Sequence, residues 1–99
     1  GVRLLSPKTV ELMRTNQTGD KYAKDTNAFG LGFWVLDDLG QYGELGSVGS
    51  YGWSSAYYPH YVIDPQERMV FLFMTQLYGG WNTGLAQKFK VQVYQAIVQ

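Results

Sequence analysis

The sequence contains no cysteine and only one histidine among its 99 residues. Without cysteine there is no disulfide and no thiolate metal ligand, so the fold must depend on packing. The single histidine, His60, has no acidic or histidine neighbours at the spacing that metal ligands need. We therefore predict no metal site and no cofactor. We expect His60 to be a structural or surface residue, with a catalytic or binding role as the less favoured alternative.

Charge is also scarce, because charged side chains make up 16% of the sequence against about 25% in an average soluble domain. Eight basic residues balance eight acidic ones and neither sign clusters, which argues against nucleic acid and anionic membranes as partners. The longest apolar run, Met69 to Met74, is far shorter than the roughly 20 residues that span a bilayer. We therefore expect no membrane span.

What the chain does contain is glycine and aromatic residues, 12 glycines and 16% aromatics. So many aromatics with so little charge predict large apolar patches that cover a partner, a ligand groove or a missing part of the same fold. The length fits one domain. Because the chain opens at Gly1 without an initiator methionine, we expect residues 1–99 to be a single segment of a longer protein. A signal peptide on that parent would make it periplasmic or secreted.

Two helices are predicted, one near each end of the chain. Ser6 is a good N-cap and Pro7 suits the first helical position, so the first helix starts there and ends near Asn16. Asn82 or Thr83 can cap the last helix. The apolar face of this helix packs on the sheet. That face consists of Leu85, Phe89, Val93, Ala96 and Ile97.

Four strands are expected between the helices, over residues 30–36, 48–55, 57–63 and 69–77. Pro59 removes a backbone donor and predicts an edge, a bulge or an irregular start for the third strand. The unbroken apolar run of the fourth strand places it in the middle of the sheet, buried on both faces. Close connections make neighbouring strands antiparallel. The predicted class is therefore α+β, an antiparallel sheet of about four strands flanked by an N-terminal and a C-terminal helix.

The residues offer no complete catalytic group. Four serines are candidate nucleophiles, but none lies in a nucleophile elbow or in Ser-x-x-Lys spacing. These serines are Ser47, Ser50, Ser54 and Ser55. Residues 49–56 place small side chains beside Trp53, which leaves the backbone open to a ligand and suits a main-chain oxyanion donor. A glycine-bearing strand packed against a helix is the plainer alternative, and the residues alone favour it.

Several segments taken together nevertheless resemble one family, the class C β-lactamase-like serine hydrolases, which include penicillin-binding-protein-like esterases and peptidases. The resemblance covers nearly all of this chain and about the C-terminal quarter of the family's catalytic fold. The segments that carry it are Leu4–Met13, Gly30–Phe33, Gly46–Trp53, Ile63–Pro65 and Phe73–Gln76.

The resemblance implies that the nucleophile motif Ser-x-x-Lys and the Tyr-x-Asn motif lie on a part of the fold outside this chain. It aligns the family's third motif with Trp53-Ser54-Ser55, so that Trp53, Ser54 and Ser55 line the substrate groove and the Ala56 N–H is one oxyanion donor. Ser55 stands where that motif has glycine, which narrows the groove.

The sequence is therefore consistent with two functions. In the first, the chain is the C-terminal segment of a serine hydrolase that acts on a small-molecule ester, lactam or peptide, and it is inactive without the remainder of the parent. In the second, it is a non-enzymatic binding or assembly module that self-associates through its aromatics.

Overall fold

The computed structural model describes residues 1–19, 21 and 28–98. The polar, aperiodic sequence of residues 17–28 predicts a loop, and most of that segment lies outside the described residues. Five antiparallel strands form one sheet in the order β1-β2-β3-β4-β5. The α+β class is confirmed, with one strand more than the four expected. The strands are β1 Ala28–Phe29, β2 Trp34–Val35, β3 Tyr51–Ser54, β4 His60–Asp64 and β5 Met69–Phe73.

The single strand expected over residues 30–36 is wrong, because this segment reverses direction. β1 and β2 pair antiparallel, Ala28 with Val35, and the Gly30 N–H donates to the Phe33 carbonyl at 2.9 Å across the turn. Gly32 has φ of 101°, a left-handed conformation that favours glycine. The chain can therefore turn within an apolar run that otherwise reads as one strand.

The placement of the fourth strand in the middle of the sheet is also wrong. β5 pairs only with β4 and forms one end of the strand order in the described part of the chain. α3 packs on one face of it, and the alternate side chains face outward. Val70, Leu72 and Met74 are accordingly exposed, the last by 75%. The strand is apolar on both faces, but the structure covers only one of them.

α1 spans Pro7–Met13 and begins as predicted. The Ser6 hydroxyl accepts the Thr9 N–H at 3.1 Å, and Pro7 occupies the first helical position. The helix ends three residues before Asn16, and none of its residues is buried. A short helix, α2, spans Leu39–Tyr42 in the connection between β2 and β3.

α3 spans Leu85–Gln95 and follows a 3₁₀ turn over Gly80–Asn82. Its N-cap is Gly84, in a left-handed conformation with φ of 69°, and not Asn82 or Thr83 as expected. Thr83 still contributes, because its hydroxyl accepts the Leu85 N–H at 3.3 Å. The capping prediction missed the N-cap by one residue because a glycine reverses the chain there.

The core lies between α3 and the sheet, so the helix packs on the sheet as predicted, but Leu85 and Ala96 of the predicted face are exposed and the buried residue of the helix is Ala86. The Phe89 ring lies 5.9 Å from that of Phe71 and 5.2 Å from that of Phe73, measured between centroids. At the far end of β4, the fully buried carboxylate of Asp64 accepts the Tyr94 hydroxyl at 2.7 Å. These contacts attach the C-terminal helix to β4 and β5.

Candidate functional site

The candidate site lies where β3 ends and the chain turns into β4. Trp53 pairs with Tyr61, and Ser54 pairs with His60. Successive side chains of a strand point to opposite faces, so Trp53 and Ser54 belong to different sides of the sheet. Trp53 lies on the face opposite α3 and is 46% exposed.

β3 approaches its neighbour so closely that only glycine fits beside Trp53. A Cβ built on Gly52 would lie 2.1 Å from the carbonyl oxygen of Tyr61 and 3.1 Å from a ring carbon of Trp34. The first distance is shorter than real Cβ atoms show, and the second is tighter than nine in ten real Cβ contacts. This glycine therefore serves the close approach of two backbones.

Residues 55–58 form the turn between β3 and β4, closed by the Tyr58 N–H donating to the Ser55 carbonyl at 2.9 Å. Ser55, Ala56 and Tyr57 are all exposed. The Ala56 carbonyl accepts the Gly79 N–H at 3.2 Å, whereas the Ala56 N–H has no hydrogen-bond partner among the described residues. The turn thus presents a main-chain donor to the outside, as an oxyanion donor requires.

Tyr58 attaches this turn to the start of α3. Its side chain is fully buried, and its hydroxyl accepts the Ala86 N–H at 3.0 Å and donates to the Gln87 side-chain oxygen at 3.3 Å. The ring makes an edge contact with Trp81, with centroids 5.4 Å apart. Tyr58 has φ of 71°, an unusual conformation for a residue other than glycine. The turn that carries Ala56 is therefore held by tertiary contacts.

Sequence reasoning missed Tyr58, because it placed this residue inside a strand that starts at residue 57. The structure starts β4 at His60. The proline after Tyr58 signals an irregular strand start, but nothing local indicates a left-handed tyrosine whose hydroxyl caps a helix 28 residues away.

A shallow cavity of about 220 Å³ opens beside the turn, next to Trp53 and the end of β3. Its surface is almost wholly apolar. The lining residues are Trp53, Ser54, Ser55, Pro59, His60, Tyr61, Leu72 and Met74. Three of the four residues expected at the site, Trp53, Ser54 and Ser55, thus line one cavity, and Ala56 follows them in the turn.

His60 is partly buried beside this cavity. Its Nδ1 lies 3.0 Å from the Tyr58 carbonyl oxygen, which only accepts hydrogen bonds, so the proton is assigned to Nδ1. Burial lowers the pKa of His60 below its usual 6.5, and the charge of Lys90 lowers it further, while the bond to Tyr58 opposes both. His60 is therefore mostly neutral at pH 7, packed against Tyr58 with ring centroids 4.7 Å apart.

The structure does not assemble a serine with a base in the part of the chain that it describes. Ser54 lies opposite His60, but no hydrogen bond joins their side chains. Ser47 and Ser50 are buried, and the Ser50 hydroxyl has no hydrogen-bond partner in residues 1–19, 21 and 28–98. Ser55 is exposed in the turn. A serine hydroxyl without a base is a weak nucleophile.

Among residues 1–19, 21 and 28–98, no three histidine, cysteine or acidic side chains are grouped as metal ligands would be. None of the helices in this range has the length and apolar character needed to cross a membrane.

The known proteins that resemble this chain match it over only part of their own length. No protein-family model matches the sequence. Two proteins of Mycobacterium tuberculosis, Uncharacterized protein MT1414 and Protein Rv1367c, are each 31% identical to it over 88 residues. These matches cover 77% of this chain but only 22% of each relative.

A solved structure shares the fold. It is described as EstCE1, a hydrolase with promiscuous acyltransferase activity, and it superposes on 97% of this chain with a TM-score of 0.76 and 23% sequence identity. The superposition uses 25% of the EstCE1 chain. The 99 residues therefore have the fold of one quarter of a larger hydrolase.

Proposed function

We propose that this chain is the C-terminal segment of a serine hydrolase of the class C β-lactamase-like family. The parent acts by serine attack on an acyl group, an acyl-enzyme and hydrolysis. β3 and the turn after it supply one wall of the substrate groove, formed by Trp53, Ser54 and Ser55, and one oxyanion donor, the Ala56 N–H. The fold shared with EstCE1 supports this proposal.

The observation that carries the proposal is the Ala56 N–H, which has no partner among the described residues and lies in an exposed turn beside an open cavity. An oxyanion hole needs donors that are already oriented before the negative charge develops on the substrate oxygen. The Ser55 carbonyl, which shares a peptide unit with the Ala56 N–H, accepts the Tyr58 N–H at 2.9 Å, and Tyr58 attaches the turn to α3. The peptide unit is therefore oriented while its N–H stays available.

Substitution at Ala56 tests this role in the full-length protein that contains the chain. Ala56 is the second residue of a four-residue turn, a position that accepts proline, so Ala56→Pro removes the N–H and suits the turn. We expect kcat/KM for a p-nitrophenyl ester to fall about 10²–10³-fold, the usual cost of losing one oxyanion donor. Ala56→Ser keeps the N–H and should retain activity. Equal activity of the two variants would refute the assignment of this donor.

We also expect the 99-residue chain alone to hydrolyse neither a chromogenic cephalosporin nor a short p-nitrophenyl ester, because no serine–base pair forms in its described part. Turnover that survives simultaneous replacement of the four candidate serines by alanine would contradict this mechanism. Those serines are Ser47, Ser50, Ser54 and Ser55.

A second candidate function is a self-associating binding or assembly module. The observation that favours it is the exposed apolar face formed by Val70 and Leu72 of β5 and by Met74, which follows the strand. The two candidates differ in what the gene encodes before Gly1. A Ser-x-x-Lys motif upstream supports the hydrolase, whereas a reading frame that begins near Gly1 and a stable oligomer in sedimentation velocity support the module.

A further inference from the structure

The turn after β3 and the segment after β5 meet at one end of the sheet. The Tyr57 carbonyl accepts the Leu77 N–H at 3.1 Å, and the Tyr57 and Tyr78 rings lie 5.4 Å apart between centroids. Beneath them, Gly80 packs so closely on the buried Tyr58 ring that a Cβ at this glycine would lie 2.8 Å from a ring carbon. The two segments are therefore held together as one unit.

Large side chains at this end of the sheet are exposed, and together they form a surface that we call the aromatic rim. The rim consists of Tyr57, Met74, Leu77, Tyr78 and Trp81. The exposed fraction of these side chains runs from 40% for Leu77 to 75% for Met74. Soluble proteins rarely group large exposed apolar side chains in this way without a binding role. The rim therefore calls for a partner.

The two segments that form this end of the molecule carry no charged side chain. Residues 45–63 and residues 69–87 contain no lysine, arginine, aspartate or glutamate. The exposed polar residues within them include Ser55, Gln76 and Asn82, which are all neutral. The side chains of these segments therefore exert no net attraction on a charged surface, and they suit a partner without net charge.

Three of the five rim residues are tyrosine or tryptophan, which have an apolar ring with a polar tip. The hydroxyls of Tyr57 and Tyr78 have no hydrogen-bond partner in the described part of the chain. Such side chains favour the boundary between water and a lipid layer, because the ring leaves water while the tip stays among the headgroups. Met74 and Leu77 add purely apolar surface to the same contact.

The size of the rim also favours a lipid layer over a folded protein as the partner. A specific protein interface usually involves about 20–30 residues on each side and needs matching shapes. The rim has five large side chains at the end of a sheet. A fluid lipid layer adapts to whatever shape is presented to it, so a few amphipathic side chains suffice for peripheral binding.

We propose that the aromatic rim binds the surface of a zwitterionic lipid layer, namely phosphatidylcholine, without any segment crossing the layer. Burial of apolar surface drives this binding. Tyr57 belongs both to the rim and to the turn that carries Ala56, so the binding brings that turn to the lipid boundary. The proposal does not depend on the proposed function, because it needs no chemistry at Ala56.

The lack of cysteine allows a fluorescent label to be placed at single positions of the chain. Gln76 lies within the rim, whereas Gln66 lies between β4 and β5 at the opposite end of the sheet, and both residues are exposed. Gln76→Cys and Gln66→Cys each accept a nitrobenzoxadiazole label, whose emission rises and shifts to the blue when it leaves water. With phosphatidylcholine vesicles, we expect this response from Gln76→Cys and not from Gln66→Cys.

Replacing rim side chains measures their share of the binding. Met74→Ser and Tyr78→Ser are combined in the Gln76→Cys chain, because both side chains are at least 74% exposed and the fold should tolerate their loss. We expect vesicle partitioning to weaken at least about tenfold, since these side chains supply apolar burial. Val70→Ser is the control, an exposed residue of β5 nearer its other end, and it should change partitioning less than about twofold.

The lipid composition tests the neutral character of the contact. Adding phosphatidylserine to the vesicles or raising the salt concentration should change partitioning by less than about threefold. A response only with phosphatidylserine, or none with phosphatidylcholine, would overturn the choice of partner.

The remaining outcomes test the choice of surface. Equal label responses from Gln76→Cys and Gln66→Cys, or an equal loss of partitioning in Val70→Ser, would show that another surface makes the contact. A protein partner is tested by sedimentation velocity without lipid. If the chain self-associates and the combined Met74→Ser and Tyr78→Ser variant is a monomer, the rim is an interface between copies of the chain and the lipid proposal is overturned.

Discussion

Removing the hydroxyl of Tyr58 tests how the turn that carries Ala56 is held. This hydroxyl accepts the Ala86 N–H at 3.0 Å. Ala86 is the second residue of α3, so its N–H is one of the four helical amides without a partner inside the helix. Gly84, the N-cap, has no side-chain oxygen to offer. Tyr58 thus supplies from another part of the fold a hydrogen bond that an N-cap side chain would normally make.

Tyr58→Phe removes only this hydroxyl, because both residues have the same ring and meet the same backbone strain at φ of 71°. Ala86 is buried, so its N–H would lose its acceptor where water cannot readily replace it. We expect the free energy of unfolding to fall by about 1–3 kcal/mol. Tyr58→Ala also removes a buried ring and should cost about 3–5 kcal/mol.

Urea denaturation measures these losses of unfolding free energy. In thermal unfolding, Tm should fall by about 4–8 °C for each kcal/mol lost in a domain of this size. The matched control is Tyr57→Phe, the same change at the neighbouring residue, whose side chain is 53% exposed. The control should stay within about 0.5 kcal/mol of the unmodified chain. If Tyr58→Phe also stays within that range, the hydroxyl does not hold the turn and the reasoning is refuted.

Two further predictions concern other buried groups. Ser50→Ala should leave the chain as stable as before or more stable by about 1 kcal/mol in urea denaturation, because the buried Ser50 hydroxyl has no hydrogen-bond partner within the described part of the chain. A loss above about 1 kcal/mol would reveal a partner. The pKa of His60 is lowered in the folded state, so the unfolded chain binds a proton at a higher pH than the folded chain does. The free energy of unfolding should therefore be at its maximum above pH 6.5 and should fall as the pH drops from 6.5 toward the pKa of the folded state. His60→Gln should flatten this part of the pH–stability curve measured from pH 7.5 to 5.5, and an unchanged slope would assign it to other groups.

The candidate site was partly visible in the residues. The small residues around Trp53 indicate accessible backbone, and the structure does place Trp53, Ser54 and Ser55 around one cavity. The residue pattern alone favoured a glycine-bearing strand packed against a helix. A residue pattern carries no information on which face of the sheet the helix covers. The structure puts α3 on the opposite face from Trp53 and leaves this side open.

The sequence by itself determined the features that depend on neighbours in the chain. Ser6 and Pro7 start the first helix because a hydroxyl and a missing N–H act on the next few backbone amides. The α+β class follows from the order of the strand-forming and helix-forming segments, because each segment has a residue pattern typical of its secondary structure.

Only the tertiary structure decided the features that depend on distant pairing. β5 is as apolar as a central strand, and its position at the end of the sheet order exposes Leu72. Tyrosine is common in strands, so the sequence gives no sign that Tyr58 is buried in a turn. Its burial comes from contacts with Trp81 and Ala86, which are more than 20 positions away in the chain. These contacts join segments that are far apart in the chain, so no local residue pattern predicts them. They hold the turn that carries the Ala56 N–H.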